Sequence, residues 1–500
     1  MLGKNLFANY LGQSWRMVMA IAFIPFYVEI VGAESYGLIG IFATLQAWLA
    51  VLDMGLRPAI SREMARFTGN QTSPNFVWDL LRTVEFITIG MVLLIFGVSY
   101  AASDWLSINW LNNQVLDHER VSFSIVLIGL TVGLVFLESL YSSCLIGLQQ
   151  QVKQNIILVL TSTLRGVGAI VVLQFISPTI EAFFVWQALC IFLSIILFRN
   201  ATVNFLPTLS IKPKFSLDTL REVWKFASGM VGITLVSLVL TQMDKIVLTR
   251  YISLEEFGYY TIAFTVSSAL YALVTPVSQA FLPRLTQLAA QKDNELLAAT
   301  YHIGCQIVTV LAGSAGIVLI FFSEQVINIW ASDLVLTSKT SKLVSLLCLG
   351  TLLNCLMWMP FQLQIAYGWT KLSLSINSFT VFIVVPILFF IAPVYGAMGV
   401  AWMWVLLNFF LLVVGITLMH RRLLPNQKFI WIFYDILIPI VSTIILLAIW
   451  KTVMPQGNTV YSDLINLFIG ILLAISSLMI FSTKIHPFLG RSAVKKIFNP

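Results

Sequence analysis

The residues with chemistry to offer are charges set inside apolar runs. Asp244 and Lys245 lie within such a run and Arg250 at its end, Arg16 stands nine residues before Pro25 in the first run, and Glu138 and Arg165 are the charges buried in two successive runs. An ionised side chain in hydrocarbon costs at least a few kcal/mol and is kept where a partner or a wet cavity compensates it. Cations placed this way suit an anionic head group, and the planar donor fork of arginine matches a phosphate. Arg16 has two readings: a side chain snorkelling to the inner head groups, or a phosphate hook inside a cavity. Adjacent helical residues point about 100° apart, so Asp244 and Lys245 are not expected to form one self-neutralised pair, and at least one should face a cavity. Arg250 is expected at the outer interface. Glu138 and Arg165 read as a buried pair between neighbouring helices, or as a lumen-facing arginine tuned by the acid. Asp53 and Arg57, with Arg62 and Glu63, cluster at the end of a span, where charge is ordinary. Arg82 and Glu85 are spaced as a helix-surface pair, and Asp435 is expected to be held by Arg421 or Arg422. The four histidines are scattered at span ends or in loops. No GxxxxGK[ST], HExxH or GxSxG occurs, so the chain offers no ATP site and no enzyme signature.

These charges need elements to hold them, and composition says which. Of the 500 residues 59% are hydrophobic and 10% charged, with a mean hydropathy of +0.91; a soluble domain carries about 25% charge. About fourteen windows of about 20 apolar residues can be counted, with uncertain boundaries around Gln242–Arg250 and Thr351–Gln364. Backbone groups in lipid must be satisfied internally, and nothing alternates as barrel strands do, so the spans are helices and the fold is all-α. Lys and Arg concentrate in alternate loops, including Arg57, Arg62, Arg66, Arg82, Lys212, Lys214, Arg421 and Arg422. That asymmetry places both termini in the cytoplasm. The net charge of +7 thus reports topology, and no nucleic-acid partner is expected. The five cysteines sit in apolar runs without a CxxC, which argues against disulfides and zinc.

A shift of 221 residues aligns Glu34, Gly37, Ile41 and Thr44 with Glu255, Gly258, Ile262 and Thr265, and sets the Gly147 turn on the Gly368 turn. The repeat suggests two pseudo-symmetric six-helix bundles, residues 1–200 and 226–422. A basic linker at 201–225 joins them, and two additional helices with a tail follow at 423–500. Parallel repeats of this kind place a shared site near mid-membrane.

The phrase LDMGLRPAISREMAR (Leu52–Arg66) resembles the end of the second span in polysaccharide-export proteins. QMDKIVLTRYISLEEFGYYTIAF (Gln242–Phe264), followed by FLPRLTQLAAQKD, is similar to their seventh-to-eighth span junction. With about fourteen spans, the resemblance is to O-antigen flippases of the Wzx type, in the superfamily of multidrug, oligosaccharidyl-lipid and polysaccharide exporters. It implies a multi-pass bacterial inner-membrane transporter for an undecaprenyl-diphosphate-linked oligosaccharide, with Arg16, Asp244 and Lys245 at the substrate. Glu138, Arg165, Asp53, Arg57 and Arg250 are secondary or coupling candidates. The expected partners are the lipid-linked oligosaccharide, the bilayer, and a polysaccharide polymerase with its chain-length machinery. No cofactor is expected, and the drive is a proton or sodium gradient or the membrane potential. That potential is worth roughly 4 to 5 kcal/mol per 100 mV for an outward-moving dianion. Arg16 stands where drug exporters commonly keep acids, which favours an anionic cargo. The alternatives are a small-molecule or drug antiporter, and a membrane polymerase or glycosyltransferase, for which the outer loops are short.

Overall fold

Hydrocarbon leaves a backbone no partner but itself, and the chain answers with helices throughout. The computed structural model describes residues 2–52, 56–68, 72–111, 116–207, 214–369, 371–454 and 460–482, and no strand occurs among them. The elements are α1 (Leu2–Ala22), α2 (Ile24–Leu52), α3 (Leu56–Thr68), α4 (Pro74–Trp105), α5 (His118–Gly147), α6 (Gln151–Phe175), α7 (Ile180–Phe205), α8 (Leu217–Tyr251) and α9 (Leu254–Gln291), then α10 (Asn294–Phe321), α11 (Ser323–Ala331), α12 (Leu334–Leu356), α13 (Trp358–Ala366), α14 (Lys371–Phe410), α15 (Ile416–Leu423), α16 (Lys428–Ile430), α17 (Ile438–Val453) and α18 (Val460–Phe481). Leu106–Trp110, Leu411–Gly415 and Trp431–Leu437 are π-helical. Among the described residues 11 helical stretches are long and apolar enough to cross a membrane, so the chain is an all-α polytopic membrane protein. Asp53 lies outside the described residues.

Breaks fall where the sequence places breakers. Phe23 interrupts the helix just before Pro25, whose ring cannot donate to the preceding turn. Gly32 (φ 82) bends α2 and Gly396 (φ 55) bends α14, both at backbone angles that only glycine adopts cheaply. Helix starts are capped in the usual way: Ser73 accepts from the Phe76 amide ahead of Pro74, Thr179 from Ala182, and Asp333 from Val335 and Leu336.

Cα packing divides the chain into two units, Met1–Gly258 and Tyr259–Pro500. The first has a core around Leu80, Leu81, Leu140, Leu145, Ile191 and Phe198. The second is built around Tyr301, Val308, Leu352, Met419 and Trp431. Within the first unit the two ends of the 221-residue repeat meet. A Cβ on Gly37 would stand 2.3 Å from the Leu254 carbonyl oxygen, and a Cβ on Gly258 2.3 Å from that of Ala33. Residues 33 and 254 are related by the same shift as 37 and 258, so the crossing is reciprocal. The turns after α5 and α13 match less simply. Both reverse through a left-handed residue, but it is Gln149 (φ 59) in one and Gly368 (φ 64) in the other, two positions away from the aligned Gly147. Gly147 has a different duty: a Cβ there would lie 2.3 Å from the Ser61 carbonyl, so glycine lets α3 approach α5.

Candidate functional site

The first unit holds two groups of charge. One forms where α1 packs on α6, and α5 and α6 pack on α7. Arg16, on α1, is exposed and lies in the electrostatic field of both Glu138 and Arg165. Among the described residues its guanidinium forms no hydrogen bond or ion pair. Its neighbour Trp15 fixes that stretch of α1 by donating Nε1–H to Thr163 Oγ1 at 2.9 Å. Glu138 and Arg165 are half-buried but are not a pair, contrary to the first of the two readings above. Ser194 Oγ donates to Glu138 Oε1, and Arg165 Nε donates to Gln187 Oε1 at 2.8 Å. Gln187 and Ser194 are seven residues apart, two helical turns, and therefore share one face of α7. A single buried face of α7 thus positions an acid and a cation from two other helices. Because Arg165 is held through Nε, the donor fork at its two terminal nitrogens is not used by that bond. Tyr27, buried, feels the same arginine and donates its hydroxyl to the Gly166 carbonyl at 3.2 Å, next to Arg165. Gln187, Ser194 and Tyr27 escaped sequence reasoning; the available signal was two amide or hydroxyl side chains at seven-residue spacing in an otherwise apolar span.

The second group lies near the end of α8. Lys245 is buried and reaches Asp244 Oδ1 at 3.5 Å, while its ammonium donates to the Thr241 carbonyl at 3.0 Å. The two neighbours therefore do neutralise each other, against the expectation from helical geometry. The 100° rule governs Cβ directions; the four-carbon stem of lysine is long enough to fold back along the helix and defeat it. Lys245 also borders a cavity of about 320 Å³ whose wall, apart from Thr44 and Thr249, is otherwise aromatic and aliphatic, including Trp105, Trp110, Leu111, Ile125 and Ile246. An apolar cleft with few polar groups is the usual build of a small-ligand site. The π-helical turn Leu106–Trp110 presents Trp110 to α8, where its Nε1 donates to Thr249 Oγ1 at 3.1 Å and its ring lies 5.5 Å from the Arg250 guanidinium. Arg250, exposed, is committed to this aromatic contact.

Other expectations change with the structure. Arg57 is half-buried on α3, and near it Glu63 is buried and bonded to Arg66 at 2.9 Å. Glu85 does pair with Arg82, as the spacing suggests, but its carboxylate is buried and not on the surface. It accepts from Arg82 at 2.8 Å and from the Tyr141 hydroxyl at 2.7 Å, and lies 3.7 Å from Arg199. Asp435 is bonded to His302 and Gln306, while Arg422 lies instead over the Trp369 ring at 4.3 Å. Two of the four histidines expected to be scattered come together: His420 on α15 packs on Tyr301, the chain neighbour of His302 on α10, while His118 stands at the start of α5 and His486 lies outside the described residues.

Taken together, the helices define an all-α polytopic membrane protein that carries charges inside its spans. The sequence profile of the polysaccharide biosynthesis protein family matches residues 2–289, more than half of the chain, and the chain belongs to that family. A second profile, MatE, matches residues 230–391. A Shigella flexneri protein that bears the name of an O-antigen transporter is 23% identical over 410 residues, covering 80% of this chain and 93% of its own. A Salmonella typhi protein of the same name is 23% identical, over 55% of this chain and 64% of its own. Among solved structures, the lipid II flippase MurJ in an inward closed conformation superposes with a TM-score of 0.68 at 15% identity, over 97% of this chain and 98% of that one. An inward-facing multidrug resistance MATE transporter of the MOP superfamily gives 0.66 at 15% identity, over 82% and 96%. The fold is the one these transporters share.

Proposed function

We propose that the protein is a flippase of the bacterial inner membrane that carries an undecaprenyl-diphosphate-linked oligosaccharide from the cytoplasmic to the periplasmic leaflet. The observation that carries this reading is Arg16: an exposed residue whose guanidinium makes no hydrogen bond or ion pair among the described residues, within the electrostatic field of Arg165 and Glu138. Two arginines that feel one another's charge suit the two phosphates of such a lipid, each arginine able to make paired bonds to phosphate oxygens. Membership of the polysaccharide biosynthesis family and the names of the curated relatives support the cargo class.

A diphosphate does not cross about 30 Å of hydrocarbon unaided. In this reading Arg16 and Arg165 take the head group, with Glu138 setting the local charge so that binding stays reversible. Lys245 and Asp244 offer a second, self-compensated charge beside an apolar cavity. The polyprenyl tail stays in lipid, and the bundles at 1–200 and 226–422 rock to give alternating access, with both termini cytoplasmic. The membrane potential favours outward movement of the anion, and a proton or sodium gradient can add to it. Polymerase and chain-length machinery would take over the delivered unit. The MatE match favours a drug antiporter as the second reading; two arginines to one acid in the first charge group weigh against a cationic cargo.

The test is depletion in the native host. Lipid-linked repeat unit should accumulate on the cytoplasmic leaflet while its synthesis continues. Accumulation on the periplasmic leaflet would instead mark a polymerase, and no accumulation on either would remove the flippase reading.

A further inference from the structure

A second ionisable cluster lies wholly within the second unit and is not used above. His302, on α10, bonds through Nδ1 to Asp435 Oδ2 in the π-helical turn Trp431–Leu437, and both side chains are buried. Gln306 donates from Nε2 to Asp435 Oδ1 at 3.0 Å and lies 3.4 Å from the Tyr434 carbonyl. The second contact has a structural cause. In this turn the Ile438 amide bonds to the Phe433 carbonyl, so the next donor in the π register would be residue 439, which is Pro439 and has no N–H. The Gln306 amide therefore serves the Tyr434 carbonyl that proline leaves, and so ties α10 to the turn that presents Asp435. Short π-helical insertions of this kind are frequent at functional sites.

Counting hydrogens distinguishes the two histidines of the cluster. His420 Nδ1 faces the Ile416 carbonyl at 3.0 Å and so carries a hydrogen, while its Nε2, 3.3 Å from the Tyr301 hydroxyl, is free to accept one. That is a neutral imidazole with one donor and one acceptor. His302 differs, because both of its nitrogens face acceptors: Asp435 Oδ2 at Nδ1, and Gln427 Oε1 at Nε2, 3.0 Å away. With the Gln427 amide turned this way, satisfying both contacts requires one proton on each bond. The pair then holds one proton more than a neutral histidine beside a carboxylate, and is uncharged overall.

We propose that His302–Asp435 is a proton-binding site. Its loaded form is the imidazolium–carboxylate pair, or equivalently the neutral imidazole facing the protonated acid. On release, the Nε2 proton passes to water beside Gln427, leaving a neutral imidazole that donates through Nδ1 and one negative charge on Asp435. The Gln427 amide must then turn over to offer its N–H, or leave. Gln427 is half-buried in the connection between α15 and α16, so this connection reads the state of the site. Among the described residues the other titratable groups around the pair are Tyr301 and Cys305 on α10, Tyr434 beside Asp435 in the π-helical turn, His420 on α15 and Lys428 on α16. Lys451, the titratable side chain of α17, donates to the Phe321 carbonyl at the far end of that helix. Burial of the unloaded carboxylate opposes release, and Gln306 makes release possible by keeping a bond to Asp435. The assignment does not depend on what the protein transports.

The test is infrared difference spectroscopy of the full-length protein in lipid nanodiscs across pH. The wild type should show one carboxylate–imidazole transition that is absent from both Asp435→Asn and His302→Gln. If those variants do not fold, Gln427→Leu leaves the pair in place but removes the acceptor of the Nε2 proton. The loaded form then loses a charge-assisted hydrogen bond and the released form a neutral one at most, so the midpoint should fall by about one pH unit. A transition unchanged in His302→Gln and Asp435→Asn, or a midpoint unmoved in Gln427→Leu, overturns the assignment and leaves the cluster a structural pin.

Discussion

Alanine at Gly37 or Gly258 is the sharpest probe of the repeat crossing. Both glycines are helical, so alanine is locally favoured by about 1 kcal/mol; any loss must come from the contact. The added Cβ would stand 2.3 Å from a backbone carbonyl in each case, whereas carbon and oxygen in such crossings settle at about 3.3 Å or more. The helices must therefore part by about 1 Å, since a carbonyl in a helix cannot step aside. Overpacking of this kind costs about 1–3 kcal/mol, so each variant should be less stable by up to about 2 kcal/mol net. The reciprocal geometry predicts more than two separate losses. Once one alanine has parted the helices, the second should fit, and the double variant should lose clearly less than the sum of the singles. Thermal unfolding of the four proteins in the same lipid gives the comparison. Stabilising single substitutions, or strict additivity of the two, would refute the crossing.

Two further outcomes follow from the charged groups. Gln187→Leu should release Arg165 from α7 without touching its charge, lowering transport while Gln187→Glu, which keeps the acceptor, retains more of it; equal loss in both variants would discard the positioning role. Trp110→Ala should remove the bond to Thr249, the ring under Arg250 and one wall of the cavity, destabilising the protein by about 2–4 kcal/mol, as read from its unfolding midpoint; an unchanged midpoint would mean the ring contributes no packing.

Most of the architecture is legible because hydropathy reports helices in lipid directly and Pro25 marks a break, whereas the bends at Gly32 and Gly396 emerge only in the structure. The repeat is legible at Glu34–Gly37 and Glu255–Gly258 for the same reason it is built: close helix crossing admits no Cβ at either glycine. Partners are another matter. Glu138 and Arg165 occupy successive spans and invite pairing, yet α7 supplies a separate partner to each, and nothing in a linear reading says which face of α7 turns inward. His302 and Asp435 are 133 residues apart, and their meeting depends on a π-helical turn with no sequence rule behind it. Asp244 and Lys245 show the opposite limit, a local rule about directions overridden by the reach of one flexible side chain.

The central claim is that an arginine pair in the first unit holds an anionic lipid head group during transport. The direct measurement is flipping of a lipid-linked oligosaccharide in proteoliposomes, comparing the wild type with Arg16→Ala combined with Arg165→Ala, each protein reconstituted to the same density. The double alanine variant should lose at least about tenfold in rate, the effect of about 1.4 kcal/mol, with partial recovery when both positions carry lysine. Wild-type flipping by the double alanine variant would contradict the claim.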